Sequence, residues 1–109
     1  MIVTHLINGA TQETLTSTLG TSATKVFTTS KERQAVHITN LDASNTLLIK
    51  WASKGAVAPT ISTSNYYVQV PTYTINPGGN YVDLQFGESV DIYWAGSAAN
   101  TDAIAVEMF

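Results

Sequence analysis

From Leu15 onward, apolar and polar residues alternate with period two in short runs, and turn-forming residues break the pattern about every 8–12 residues. A chain with that rhythm hides one side of each run, so it pairs its runs as strands and stacks the strands in layers. The clearest run is Ala35-Val36-His37-Ile38-Thr39-Asn40, with Val36 and Ile38 on one side and His37 and Thr39 on the other. Leu41-Asp42-Ala43-Ser44-Asn45 reads as a turn, because short Asp and Asn side chains bond to the local backbone. Residues 46–52 follow, with Leu47, Ile49 and Trp51 inward, and the two runs are expected to pair as a hairpin. Further strands are expected over 15–19, 25–29, 66–70, 81–86, 90–94 and 103–109, with Pro77-Gly78-Gly79 and Gly87-Glu88-Ser89 as turns.

About eight short strands without helical periodicity imply an all-β fold, a single antiparallel β-sandwich of jelly-roll or Greek-key type. Residues 1–12 are expected to form an N-terminal arm or edge segment, and 13–109 the sandwich. The expected core is Val36, Ile38, Leu47, Ile49, Trp51, Val82, Leu84, Phe86, Ile92, Trp94, Ile104 and Val106.

The polar surface has an unusual character. Charged residues make up 12% of the chain, about half the usual ~25%, and Ser and Thr together supply roughly a quarter. Such a surface docks on protein with few long charged side chains to desolvate or freeze. With a net charge of -3 and five Lys plus Arg, the chain lacks the clustered cations that a nucleic-acid partner requires. Lys31-Glu32-Arg33, the densest charged run, reads as a solvated turn. The absence of cysteine excludes disulfides, thiolate nucleophiles and zinc–thiolate sites. No run approaches the ~18 apolar residues of a membrane span, so no membrane partner is expected. The first residues carry no basic leader ahead of an apolar run, and a chain made and folded in a cytoplasm is expected.

The search for chemistry yields little. His5 and His37 stand alone, without the His-x-His or His-x-x-x-His spacing of a metal site. Asn40, Asp42, Ser44 and Asn45 space oxygens somewhat like a calcium loop, yet lack the glycine and distal glutamate of one, so an Asx-type turn explains them better. Asp83 and Asp91 are expected on outward faces of neighbouring strands, as a solvated pair and not as glycosidase carboxylates. No Gly-x-Ser-x-Gly elbow or Gly-x-x-x-x-Gly-Lys loop occurs. No enzyme, cofactor or metal site is therefore expected. The suggestive residues are tyrosines: Tyr66, Tyr67, Tyr73, Tyr81 and Tyr93, of which Tyr81 and Tyr93 should point outward, where they can pair across strands, pack on a protein or stack on a sugar.

Residues 37–51, then Ile75-Asn76-Pro77-Gly78-Gly79-Asn80-Tyr81-Val82-Asp83-Leu84 and Val90-Asp91-Ile92-Tyr93-Trp94-Ala95-Gly96, resemble small β-sandwich virion proteins of tailed bacteriophages. The resemblance implies a capsid decoration (cement) protein that clamps neighbouring subunits of the major capsid protein, or a related head or tail component. Homo-oligomers, often trimers, are implied with it. It brings no motif residues for a site. Candidate contact residues come from the chain itself: Met1, Ile2, Val3 and Leu6 in the arm, Val57 and Pro59 in the irregular loop 53–64, Tyr81, Tyr93, and the C-terminal edge. The alternative is a sugar- or receptor-binding module on a tail or fibre.

Overall fold

The computed structural model describes residues 3–5, 11–27 and 33–109. Within them lie nine strands: β1 (Val3–His5), β2 (Thr11–Leu19), β3 (Thr24–Lys25), β4 (Ala35–Asn40), β5 (Leu47–Ser53), β6 (Val68–Val70), β7 (Tyr81–Leu84), β8 (Val90–Gly96) and β9 (Thr101–Met108). They form a five-stranded sheet, β1-β2-β9-β4-β7, and a four-stranded sheet, β3-β8-β5-β6. All pairings are antiparallel. The expected all-β sandwich is what the chain forms.

Both sheets feed one core, made of Val36, Ile38, Leu84, Ala103 and Ala105 from the larger sheet and Leu47, Ile49, Val70, Ile92 and Trp94 from the smaller. Trp51, Val82 and Phe86 pack at its margin. Ten of the twelve expected core residues thus take their places. Ile104 and Val106 do not. The strand that carries them, β9, turns Thr101, Ala103, Ala105 and Glu107 inward and leaves Ile104, Val106 and Met108 half-buried on the outer face. The reason is volume. Across the layer, the smaller sheet's central strands contribute an indole and three large aliphatic side chains, and a close-packed interior then leaves alanine-sized space on β9.

The expected hairpin of β4 and β5 is also corrected. β4 pairs with β7 and β9, whereas β5 pairs with β6 and β8, so residues 41–46 carry the chain from one sheet to the other. Asn40 organises this crossing. Its fully buried Nδ2 donates to the carbonyls of Asn45 (2.9 Å), Val70 (3.2 Å) and Pro71 (3.3 Å), while its Oδ1 accepts from the Asp42 N–H. A strand end in the larger sheet is thereby tied to a strand end in the smaller one.

Asp42 closes the same turn. Its Oδ2 accepts the N–H groups of Asn45 (2.7 Å) and Ser44 (3.0 Å), the Asx turn the sequence suggests. These donors, Asn45 first, hold the Asp42 carboxyl below its ordinary range. A carboxyl lowered by folding stabilises the native state fully above its unfolded value, near about 4, and that contribution is lost as pH falls below it. Asp42→Asn is therefore expected to lower the urea midpoint more at pH 7 than at pH 2.5. An equal loss at both values would mean that the charge plays no part.

Arg33, expected in a solvated turn, is buried instead; Lys31 and Glu32 lie outside the described residues. The guanidinium donates from Nε to the Phe86 carbonyl (3.1 Å) and from one terminal nitrogen to the carbonyls of Gly87 (2.8 Å) and Val90. It lies 3.6 Å from the buried carboxylate of Glu107. A guanidinium can be buried there because its fork meets carbonyls and a carboxylate together. Pro77-Gly78-Gly79 turns as expected, with Gly78 at φ 77°, a conformation that only glycine adopts without strain, and the Gly79 N–H on the Asn76 carbonyl.

Candidate functional site

The two outer faces of the sandwich differ. That of the four-stranded sheet is largely covered by the chain's own loop. Leu48, Tyr93 and Ala95 pack with Ile61 into a second apolar cluster. Lys50 holds the loop down: its Nζ donates to the Thr60 carbonyl (3.3 Å) and to Asn65 Oδ1 (2.9 Å), and it lies 4.9 Å from the Tyr67 ring centroid. Tyr93 points away from the main core as expected, yet it is only 5% exposed, so it offers no contact surface. The loop that sequence marks as a contact element has a packing task of its own. Val57, at its tip, is 92% exposed, and Pro59 is half-buried.

The outer face of the five-stranded sheet has no such cover among the described residues. Strand register arranges it in rows. Thr14, Val106, His37 and Asp83 cross it side by side; the next row is Thr16, Ile104, Thr39 and Tyr81. Met108, Val106 and Ile104 form an aliphatic spine between a β2 flank of Gln12, Thr14, Thr16 and Thr18 and a flank of His37, Thr39, Tyr81 and Asp83. A shallow hollow of about 310 Å³ opens on this face, lined by Gln12, Thr14, His37, Asp83, Val106 and Met108.

One wall of the hollow is ordered by polar contacts. His37 Nδ1 lies 2.6 Å from Asp83 Oδ1. A carboxylate only accepts, so the ring proton sits on Nδ1 and is donated to Asp83. Tyr81, 48% exposed, stacks on the His37 ring with centroids 5.0 Å apart and an interplanar angle of 25°. Imidazole and carboxylate are thus held in one arrangement while remaining open to solvent.

The expected approach of Asp83 to Asp91 does not occur. Asp83 lies on β7 in the larger sheet and Asp91 on β8 in the smaller. Asp91 instead pairs with Lys25 Nζ (3.4 Å) and accepts the Gly55 N–H (3.0 Å). Asp83 finds His37, directly opposite it on the neighbouring strand. Among the described residues no three His, Cys, Asp or Glu side chains converge to hold a metal ion.

Of the arm residues singled out in the sequence, Met1, Ile2 and Leu6 lie outside the described residues. Val3 lies on β1, the edge strand, where it pairs with Glu13. Tyr81 is on the open face. Val106 and Met108 join it against expectation, because the alternation in β9 places them on the opposite side when hydropathy alone decides. Buried alanines at 103 and 105, read as the apolar side, are the signal that would have placed them.

Comparison with known protein families, with curated proteins and with solved structures finds no match to this chain.

Proposed function

We propose that this chain is a structural virion protein, a capsid decoration or cement protein that binds the shell of a major capsid protein and stabilises it. The observation that carries the reading is the face of the five-stranded sheet that the described residues leave uncovered, where Ile104, Val106 and Met108 run between hydroxyl-bearing and aromatic flanks. An aliphatic spine with a polar rim is the make-up of a protein contact surface. The four-stranded sheet, braced by its own loop, serves as a rigid backing. The contact of one chain is modest, but repeated engagement across a lattice multiplies it into strong retention. Assembly into homo-oligomers, such as trimers, extends the same logic.

Mass spectrometry of purified particles tests this reading. A copy number comparable to that of the major shell protein is expected. Absence of the chain from particles would remove the proposal, and a handful of copies would move it to a tail or vertex.

A second reading, a carbohydrate- or receptor-binding module on a tail or fibre, draws on the exposed rings of Tyr66, Tyr67, Tyr73 and Tyr81. Saturable glycan binding lost in Tyr81→Ala would favour it over the first.

A further inference from the structure

Charge is distributed unevenly over the sandwich. Among the described residues, the ionisable groups on the outer face of the five-stranded sheet are Asp83, its partner His37, and Asp102. Lys25, Lys50 and Lys54 all belong to the four-stranded sheet or its loop, and Arg33 is buried. Asp102 accepts from the Thr18 hydroxyl (2.8 Å) at the far end of the face. Asp83 sits at the wall of the hollow with its side chain 52% exposed, and one of its oxygens is oriented by His37.

We propose that the hollow takes an arginine side chain presented by a protein partner, with the guanidinium on Asp83 and the methylenes over Val106 and Met108. The inference rests on the reading of this face as the contact face and names the chemistry of the partner. Each part of an arginine finds its complement. The Asp83 carboxylate supplies the counter-charge, and with Oδ1 engaged by His37 the second oxygen has acceptor capacity to spare. The His37 ring, braced from behind by Tyr81, offers a planar wall to a planar and weakly hydrated cation. Gln12 and Thr14 offer side-chain oxygens to the remaining N–H groups. Half-buried Val106 and Met108 form an apolar floor that suits a three-methylene stem. A lysine would meet the charge but not the flat wall. A sugar would gain little from an aliphatic floor.

Titrating the full chain with a short capped peptide containing one arginine, followed by amide NMR shifts, tests the assignment. Saturable shifts confined to residues near 12–14, 37, 83 and 106–108 are expected. The same peptide with citrulline, which keeps the shape and loses the charge, should bind at least about tenfold more weakly, and so should the arginine peptide with Asp83→Asn. Val106→Lys, which fills the hollow from within, should abolish the shifts while leaving the rest of the spectrum in place. Equal binding of citrulline, binding unchanged in Asp83→Asn, or shifts produced by a methyl glycoside and not by arginine would each overturn the proposal. So would the absence of saturable shifts. If the chain is nevertheless found on particles at shell copy number, the virion role stands and only the arginine assignment falls.

Discussion

Trp94→Ala is expected to lower the free energy of unfolding by about 3–5 kcal/mol. The indole is 1% exposed and lies on β8 in the middle of the smaller sheet, facing a layer that has yielded alanine-sized space on β9. Backbone pairing on both sides of β8 prevents collapse around the void, so the loss combines transfer free energy with a cavity term. A domain of this size has only about 5–15 kcal/mol of stability in total, and thermal unfolding should show Tm falling by more than about 10 °C. The same series checks the side assignment of β9. Ile104→Ala, on the outer face, should cost clearly less than Ile38→Ala, which empties a fully buried position. Equal costs would mean that Ile104 faces the core.

The second large effect is expected at Arg33. Truncation to alanine strips the donor from the carbonyls of Phe86, Gly87 and Val90 and removes the guanidinium beside the Glu107 carboxylate. Breaking one side of a buried ion pair typically costs about 3–5 kcal/mol, because the other charge stays behind in a poorly solvated place. Replacing both charges with apolar residues of similar volume avoids that penalty. Arg33→Met with Glu107→Leu should therefore regain most of the loss seen in Arg33→Ala, with urea unfolding as the measure. If the double variant is as unstable as the single one, the carbonyl contacts and not the pair hold this end of the sandwich.

These two positions show how far the amino-acid order can be read. Trp94 is legible as core because β8 alternates cleanly, with Ile92 and Trp94 on one side. The side of β9 is not, because Thr101, Ala103, Ala105 and Glu107 look less apolar than Ile104, Val106 and Met108, and hydropathy alone assigns the larger aliphatics inward. Packing volume decided otherwise, and that depends on what the opposite sheet contributes. The burial of Arg33 is hidden for a similar reason: a cation in a charged run looks exposed until a folded neighbour brings carbonyls and a carboxylate around it. The crossing between β4 and β5 has the turn chemistry of a hairpin, and its passage to the other sheet shows only in long-range contacts, the strand pairings and the bonds of Asn40 to Val70 and Pro71. The alternation of β7 shows Asp83 and Tyr81 as outward-facing, but the dyad with His37 depends on β4 and β7 being neighbours, a pairing between segments more than 40 residues apart.

Retention of Val106→Glu on capsid shells probes the contact face most directly. The substitution puts a carboxylate into the aliphatic spine, near that of Asp83 on the flank, at a half-buried outer position where the fold can tolerate it. The variant is expected to unfold cooperatively like the parent chain and to wash off shells that retain the parent. Retention equal to that of the parent, with the fold intact, would contradict the assignment of the five-stranded sheet as the surface that grips the shell.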